Sequence, residues 1–249
     1  MNKLTILPGY DKNGIKEQFD SISFSLGELC AIVGPTGAGK SRFIKDIEML
    51  VSGDSVTRRV VLLDGEMARG DEREALCDSL IAHIGQNMRF TLDMSVKEFL
   101  DFHREANGKE SVNISGIVSF AVELSGEPFT IDSSLFSLSG GQARALMSAD
   151  IACLSDRPIV LIDEIENAGI DKEAALSLFI DKGKLVFLVT HDPHTALMAK
   201  ERIVISDGAV KSVRKRSERE DAVFEDLDKE YRRRLEIQRK MREGDEIVW

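Results

Sequence analysis

One eight-residue stretch constrains this chain more than any other. It runs through Gly34, Pro35, Thr36, Gly37, Ala38, Gly39, Lys40 and Ser41. The stretch fits G-x-x-x-x-G-K-[ST] and directly follows the apolar run Cys30–Val33, which is the strand-to-helix context of a phosphate-binding loop. In such a loop, backbone N–H groups and the positive end of the following helix surround phosphates. We expect Lys40 to reach the β- and γ-phosphates and Ser41 to offer its hydroxyl to Mg²⁺.

Four short apolar runs predict buried strands, and helical stretches separate them. The runs are Cys30–Val33, Val60–Leu63, Ile159–Ile162 and Leu185–Val189. Each is rich in Val, Ile or Leu and ends in turn or polar residues, as strands covered on both faces do. Alternation of such strands with helices predicts an α/β fold with a largely parallel central sheet.

Two acidic residues end the third of these runs. Asp163 and Glu164 directly follow Val160–Ile162. Beside a phosphate loop in a parallel sheet, Asp163 is placed to hold Mg²⁺, directly or through water. Glu164 is placed to orient and polarise an attacking water molecule.

Residues 87–137 differ from the rest, because they contain helical segments around Val96–Glu105 and Ile114–Leu124 but no strong strand. They predict a mostly helical insertion between two core strands. Further along, Ile203–Ile205 and Val210–Val213 flank Asp207 and Gly208, a hairpin signal. We therefore expect one domain over residues 1–213.

From residue 214 to residue 249 the chain is dominated by charges of both signs. Acid-to-base pairs four residues apart favour a helix there. Phe224, Leu227, Tyr231 and Leu235 form a narrow apolar stripe at helical spacing. Two interpretations stay open: the stripe packs on the core, or the helix is a partner-binding or dimerising extension.

Composition limits the function classes. The net charge of −10 argues against tight non-specific binding to nucleic acid or anionic lipid. The cysteines Cys30, Cys77 and Cys153 lie far apart without metal-ligand spacing, so we expect reduced thiols. The N-terminus lacks the apolar region of a signal peptide, and no run is long enough to span a membrane. A cytoplasmic location is expected, with membrane contact only through a partner.

A third motif precedes the acidic pair. It consists of Leu138, Ser139, Gly140, Gly141 and Gln142. Ser139 suits a helix N-cap, and the glycines leave N–H groups exposed for an anion.

With these three motifs, the chain resembles the ATP-binding cassette (ABC) superfamily over about Leu4–Ser212. The resemblance implies an ATPase with a phosphate-loop core, a mixed but mainly parallel sheet and a helical ABC subdomain. It also implies that Ser139, Gly140, Gly141 and Gln142 of one chain contact ATP held by another. Two Mg²⁺-ATP molecules would then lie inside an ATP-dependent head-to-tail homodimer.

The same resemblance assigns four further positions. Gln86 takes the place of the family's Q-loop glutamine, which binds Mg²⁺ or water. His191 takes the place of the switch histidine that contacts the γ-phosphate, and so joins Lys40 and Glu164 in the expected catalytic set. Asp171 takes the place of the D-loop aspartate at the dimer interface. Tyr10 takes the place of an aromatic residue that stacks on adenine, although the adjoining Pro8-Gly9 turn is equally compatible with another position.

The chain departs from transporter cassettes at several positions. Ile165 replaces a proline, residues 168–171 read Ala-Gly-Ile-Asp, and the charged tail is unusual. These differences slightly favour a soluble ATP-driven switch that remodels a cytoplasmic partner. The alternative is the nucleotide-binding subunit of a membrane transporter. In either case we expect the partner to dock at the helical insertion.

Overall fold

Two β-sheets and the helices around them form the core of the chain, whose computed structural model describes residues 1–85, 88–165 and 169–247. The strands, in chain order, are β1 (Lys3–Leu7), β2 (Ile22–Ser25), β3 (Leu29–Val33), β4 (Val60–Leu63), β5 (Glu66–Met67), β6 (Ile81–Ile84), β7 (Ile159–Asp163), β8 (Leu185–Val189), β9 (Glu201–Ser206) and β10 (Ala209–Lys215). The α-helices are α1 (Lys40–Glu48), α2 (Gly70–Leu80), α3 (Val96–Ala106), α4 (Ile114–Ser125), α5 (Gly140–Cys153), α6 (Lys172–Asp181), α7 (Pro193–Met198) and α8 (Glu218–Glu243).

The larger sheet has the strand order β10-β9-β3-β8-β7-β6. Its strands β9, β3, β8, β7 and β6 are parallel to one another, and β10 joins the edge in an antiparallel hairpin with β9. This confirms the predicted α/β class with a mixed, mainly parallel sheet. It also places the ends of β3, β7 and β8 side by side, where the predicted site residues follow.

The larger sheet is covered on both faces. Along β7, Ile159 and Leu161 belong to one apolar cluster, whereas Val160 and Ile162 belong to another. All four side chains are essentially inaccessible to water. Because side chains alternate across a strand, a continuous apolar run is what a strand buried on both faces requires.

The prediction for Val60–Leu63 was wrong in one respect. This run is a strand, β4, but it lies in a second sheet with the order β2-β1-β4-β5, and it pairs antiparallel with β1. Periodicity cannot distinguish a strand of a parallel core from one of an antiparallel sheet when the run has only four residues. The parallel strand that the sequence did not reveal is β6, whose apolar run is interrupted by His83.

Two helices, α3 and α4, lie at the positions where residues 87–137 predicted helical segments. Ser95 caps α3 and forms a reciprocal capping box with Glu98, which defines where the helix begins. Asn87, the predicted first residue of the insertion, lies outside the described residues.

The C-terminal segment forms the long helix α8, and the hairpin before it has the predicted turn at Asp207 and Gly208. Two residues of the apolar stripe pack on α7, where the ring of His194 stacks on Phe224 and on Tyr231, with centroid separations of 5.4 and 4.7 Å. The helix thus packs on the core, as the first of the two interpretations expects.

Candidate functional site

The phosphate loop connects the end of β3 to the start of α1, and the backbone crowding there selects glycine. A Cβ atom at Gly34 would lie 2.2 Å from the carbonyl oxygen of Ile205. At Gly39, which has φ 102°, a Cβ atom would lie 2.9 Å from the Cα of Gly208. Gly208 also donates from its amide to the Ala38 carbonyl at 2.8 Å. The end of β9 and the β9–β10 turn therefore pack directly against the backbone of the phosphate loop. Only glycine permits two backbone segments to approach so closely.

The loop offers a set of amide donors to an anion. Across the described residues, no protein acceptor receives a hydrogen bond from the backbone N–H of Gly37, Gly39, Lys40 or Ser41. These donors lie at or just before the N-terminus of α1, where the helix dipole favours negative charge. The donor set fits a phosphate group.

Lys40 points back into this loop. Its side chain is 7% exposed, and its Nζ donates to the carbonyl oxygens of Gly34 at 2.9 Å and Pro35 at 3.0 Å. Burial lowers the pKa of Lys40, and the nearby carboxylates of Glu164 and Asp163 oppose that shift. The ammonium group thus lies near both acids that follow β7.

Glu164 and His191 meet beside the loop. The Glu164 amide donates to the Val189 carbonyl at 3.0 Å, which joins the end of β7 to the end of β8. Glu164 has φ 53°, a left-handed conformation that non-glycine residues rarely adopt and that often marks functional positions. Its Oε1 lies 3.7 Å from Nε2 of His191, and the two residues' side chains are 25% and 43% exposed. The carboxylate of Glu164 and the imidazole of His191 are therefore both accessible to water and close to each other, and Glu164 is also near Lys40.

The motif at 138–142 begins α5. Ser139 is its N-cap and forms a capping box with Gln142: the Gln142 amide donates to Ser139 Oγ at 3.2 Å, and the Ser139 amide donates to Gln142 Oε1 at 2.8 Å. The Ser139 hydroxyl also donates to Glu127 Oε2 at 2.7 Å. Among the described residues, the hydroxyl and the amide of Ser139 form hydrogen bonds with Gln142 and Glu127, and none with the phosphate loop of its own molecule. The structure therefore groups Lys40, Asp163, Glu164 and His191, but not the 139–142 motif.

The remaining predicted residues have diverse surroundings. Tyr10 is half-buried, its amide donates to the Thr57 carbonyl at 2.7 Å, and the guanidinium carbon of Arg58 lies 5.6 Å from its ring centroid. Asp171 caps α6 through its carboxylate. Gln86 lies outside the described residues.

A buried ionic cluster, which the sequence did not reveal, contacts the backbone of Gly9 and of Gly208. Arg59 is inaccessible to water and pairs with Glu17 at 2.6 Å and Asp46 at 2.9 Å. Its Nη2 also donates to the Gly208 carbonyl at 2.8 Å, and Glu17 accepts from the Gly9 amide at 2.7 Å. The cluster thus ties the segment before Tyr10 to the turn that supports Gly39. Glu17 lies in the loop before β2, Asp46 on α1 and Arg59 in the loop before β4, so no local pattern could have indicated the cluster.

Comparison with known proteins agrees with this geometry. The family model described as "ABC transporter" matches residues 19–167. An uncharacterized ABC transporter ATP-binding protein of Methanocaldococcus jannaschii is 42% identical over all of this chain and 95% of its own length. The macrolide export ATP-binding/permease protein MacB of Campylobacter jejuni is 30% identical over 84% of this chain but only 34% of its own length. A solved structure of cbiO1 from Clostridium perfringens, part of the ABC transporter complex cbiONQ, has a TM-score of 0.65 over 98% of this chain and 100% of that chain, at 18% identity, a likeness of fold.

Fold and site together define an ATPase built on a phosphate loop. More narrowly, the chain belongs to the ABC transporter family, as the match over 19–167 and the relative at 42% identity show. The predicted ABC ATPase identity is thereby confirmed, and with it ATP binding. No helix among the residues that the structure describes is long and apolar enough to cross a membrane.

Proposed function

We propose that this chain is the ATP-binding subunit of a membrane transporter, in which binding and hydrolysis of ATP change the conformation of a membrane-embedded partner. The relatives' names support this alternative over the soluble switch that the sequence slightly favoured. One relative, matched over almost its whole length, is called a transporter ATP-binding protein, and another combines ATP-binding and permease functions in its name. The proposal places the chain at the cytoplasmic side of a membrane through its partner.

The proximity of Glu164 and His191 beside Lys40 carries the proposal for the reaction. In it, the loop 34–41 and Lys40 bind the phosphates, Glu164 accepts a proton from the attacking water, and His191 contacts the γ-phosphate. The hydroxyl of Ser41, the carboxylate of Asp163 and the amide oxygen of Gln86 are the hard oxygen donors that Mg²⁺ prefers. Bound there, Mg²⁺ would neutralise phosphate charge. Tyr10 would stack on the adenine ring, in place of or opposite the Arg58 guanidinium.

The proposed dimer concerns two segments, the phosphate loop and the 139–142 motif. The phosphate loop and the 139–142 motif belong to one function in the family resemblance, yet no hydrogen bond joins Ser139 to that loop among the described residues. A head-to-tail homodimer would bring Ser139, Gly140, Gly141 and Gln142 of one chain onto the nucleotide of the other, with Asp171 at the interface. Each of the two sites would then be composite.

The division of the chain is also part of the proposal. Residues 1–213 would form the cassette, the helical insertion at about 87–137 would receive the membrane partner, and 214–249 would be an extension. The acidic net charge of −10 argues against nucleic acid as the partner.

Glu164→Gln tests the reaction. We expect it to abolish steady-state ATP hydrolysis while ATP still binds, because the amide keeps the shape of the side chain but is not a base. Phosphate release and binding of a fluorescent ATP analogue would be measured for Glu164→Gln, the wild type and the exposed control Glu225→Gln. Full turnover in the Glu164→Gln variant would refute the assigned role.

Isolation of the tagged chain from its native host tests the transporter class. We expect it to be recovered from detergent-solubilised membranes together with a polytopic membrane protein, and to lose that association when the exposed Phe102 of α3 (65% exposed) is replaced by aspartate. Recovery only from the soluble fraction, with a soluble partner, would support the switch instead.

A further inference from the structure

The N-terminus of α6 and the loop after β8 are joined by a partly buried ionic contact. Lys172, the residue after Asp171, is 6% exposed. Its Nζ donates to Asp192 Oδ2 and, at 2.6 Å, to Thr195 Oγ1. Asp192 directly follows His191. Lys172 therefore connects the segment that bears Asp171 to the segment that bears His191.

Asp192 holds its own loop in place as well. Its carboxylate accepts from the Thr195 amide at 3.0 Å and caps α7, while its amide donates to Thr190 Oγ1 at 3.0 Å. Burial by itself would raise the pKa of Asp192, but hydrogen bonds from Lys172 and Thr195 outweigh it and lower the pKa to about 2. The carboxylate is thus anionic at neutral pH, as an ion pair with Lys172 requires.

Tyr231 of α8 completes the junction. Its ring lies under the Lys172 ammonium, with Nζ 4.7 Å from the ring centroid. Its hydroxyl accepts from the Lys172 amide at 3.2 Å and donates to Asp171 Oδ1 at 3.2 Å. Burial, aided by the charge of Asp171, raises the pKa of Tyr231, so the hydroxyl keeps the proton that it donates.

Neighbouring contacts hold Tyr231 in this position. Its ring also stacks on His194, whose Nε2 lies 3.3 Å from Asp228 Oδ1. Arg232 Nη2 donates to Glu173 Oε1 at 2.8 Å on α6. Near its C-terminus, α8 also reaches α4, where Arg242 Nη1 donates to the Ser125 carbonyl at 3.1 Å.

We propose that Lys172 and Tyr231 are positioning residues for ATP hydrolysis, which hold the segment of Asp171 and the segment of His191 in one geometry. The inference rests on the proposed roles of His191 and Asp171. Neither positioning residue touches the nucleotide in this scheme. They act through His191, which must meet the γ-phosphate, and through Asp171, which must meet the second chain. The C-terminal extension then contributes to the reaction although it lies outside the cassette motifs.

Steady-state kinetics of Lys172→Met and Tyr231→Phe test the inference. Methionine keeps the apolar part of the Lys172 side chain without its charge, and phenylalanine keeps the Tyr231 ring but not its hydroxyl. We expect kcat to fall about tenfold or more for Lys172→Met and by about threefold for Tyr231→Phe, with KM for ATP within about twofold, since misplacement of a catalytic group reduces chemistry rather than binding. Lys182→Met, at the exposed end of α6, is the matched control and should keep the wild-type kcat.

The double variant tests whether the two residues act as one unit. Residues that position the same groups give non-additive effects, so Lys172→Met/Tyr231→Phe should be no slower than Lys172→Met alone. Thermal unfolding and binding of a fluorescent ATP analogue would show that each variant is folded. A kcat within about twofold of wild type in folded Lys172→Met, parallel losses of kcat and ATP affinity, or fully additive effects would each overturn the inference.

Glu164→Gln in the same assay separates this inference from the proposed function. If Glu164→Gln is inactive while Lys172→Met has the wild-type kcat, only the positioning role fails. If Glu164→Gln itself keeps full turnover, the assigned site fails, and the positioning role fails with it.

Discussion

At the scale of single residues, Lys40 has an ammonium group that is already held where a phosphate would be expected. The hydrogen bonds to Gly34 and Pro35 keep it inside the loop, so little side-chain freedom is lost when an anion binds. We expect Lys40→Met to lower kcat/KM for ATP by at least about 100-fold, because a charge-assisted contact to the phosphates disappears. Lys45→Met, on the exposed face of α1, serves as the control. ATP hydrolysis by Lys40→Met at the wild-type rate would exclude a role in phosphate binding.

Asp192 gives the chain a predictable response to acid. Its pKa of about 2 lies below the ordinary value, so the contribution to stability is present above pH ~4 and is lost as the pH falls towards ~2. With the carboxylate 32% exposed and partly screened by water, that contribution is on the order of 1–2 kcal/mol. Asp192→Asn keeps a good N-cap but not the charge.

Urea unfolding of the wild type and Asp192→Asn measures this contribution across the pH range. The difference in the free energy of unfolding should be constant above pH ~4 and should shrink between pH ~4 and pH ~2. A difference that is the same at every pH would show that the ion pair with Lys172 does not determine the stability of this junction.

How far the sequence predicts the site depends on whether the relevant contact is local. The phosphate loop, Glu164 and His191 each follow an apolar strand within two residues. Parallel strands place those ends at one edge of the sheet, so short motifs sufficed to place them together. The contact of Lys172 with Asp192 depends on how α6 and α7 pack. Tyr231 was recognised only as part of an apolar stripe, because its hydroxyl meets Asp171 across sixty residues.

At the scale of elements, the sequence did not predict which sheet contains β4, and it did not reveal β6, because strand pairing is a non-local contact. The run at 60–63 is apolar enough for the larger sheet, yet it pairs with β1 in the antiparallel, four-stranded sheet. The position next to β7, at the edge of the larger sheet, goes to β6, whose paired residues include His83. Four residues carry too little periodic information to assign a strand to a sheet, whereas the longer helices α3, α4 and α8 were predicted close to their observed positions.

We expect helix α8 to add stability without forming part of the nucleotide site. A chain ending at Ser217 would lose the stacking of Phe224 and Tyr231 on His194. We expect its free energy of unfolding to fall by about 2–4 kcal/mol, the value for two partly buried aromatic side chains. ATP affinity should stay within about twofold, since both sheets and the phosphate loop remain. Urea unfolding and nucleotide titration of the truncated chain check both statements, and lost ATP affinity would show that α8 belongs to the nucleotide-binding core.

At the scale of the whole molecule, the proposed head-to-tail dimer predicts that a second chain completes each site with its 139–142 motif. Gly140 offers a specific way to test this, because a Cβ atom there would meet nothing within 4 Å and the fold should tolerate a side chain. In Gly140→Asp, a carboxylate would repel the γ-phosphate of the other chain. We expect Gly140→Asp and Lys40→Met each to be inactive alone, and Gly116→Asp in α4 to be active.

Mixing the two inactive variants distinguishes composite sites from sites within one chain. In a mixed dimer, one site would combine both lesions, and the other would combine an intact phosphate loop with an intact 139–142 motif. Random pairing of equal amounts makes half of the dimers mixed, so ATPase activity should return to about a quarter of the wild-type value. Sedimentation with ATP in the Glu164→Gln background should show the dimer itself, because a site that cannot hydrolyse ATP keeps the two chains together. No recovery on mixing, with dimers present, would mean that Ser139 and Gly140 do not act on the neighbouring chain's nucleotide.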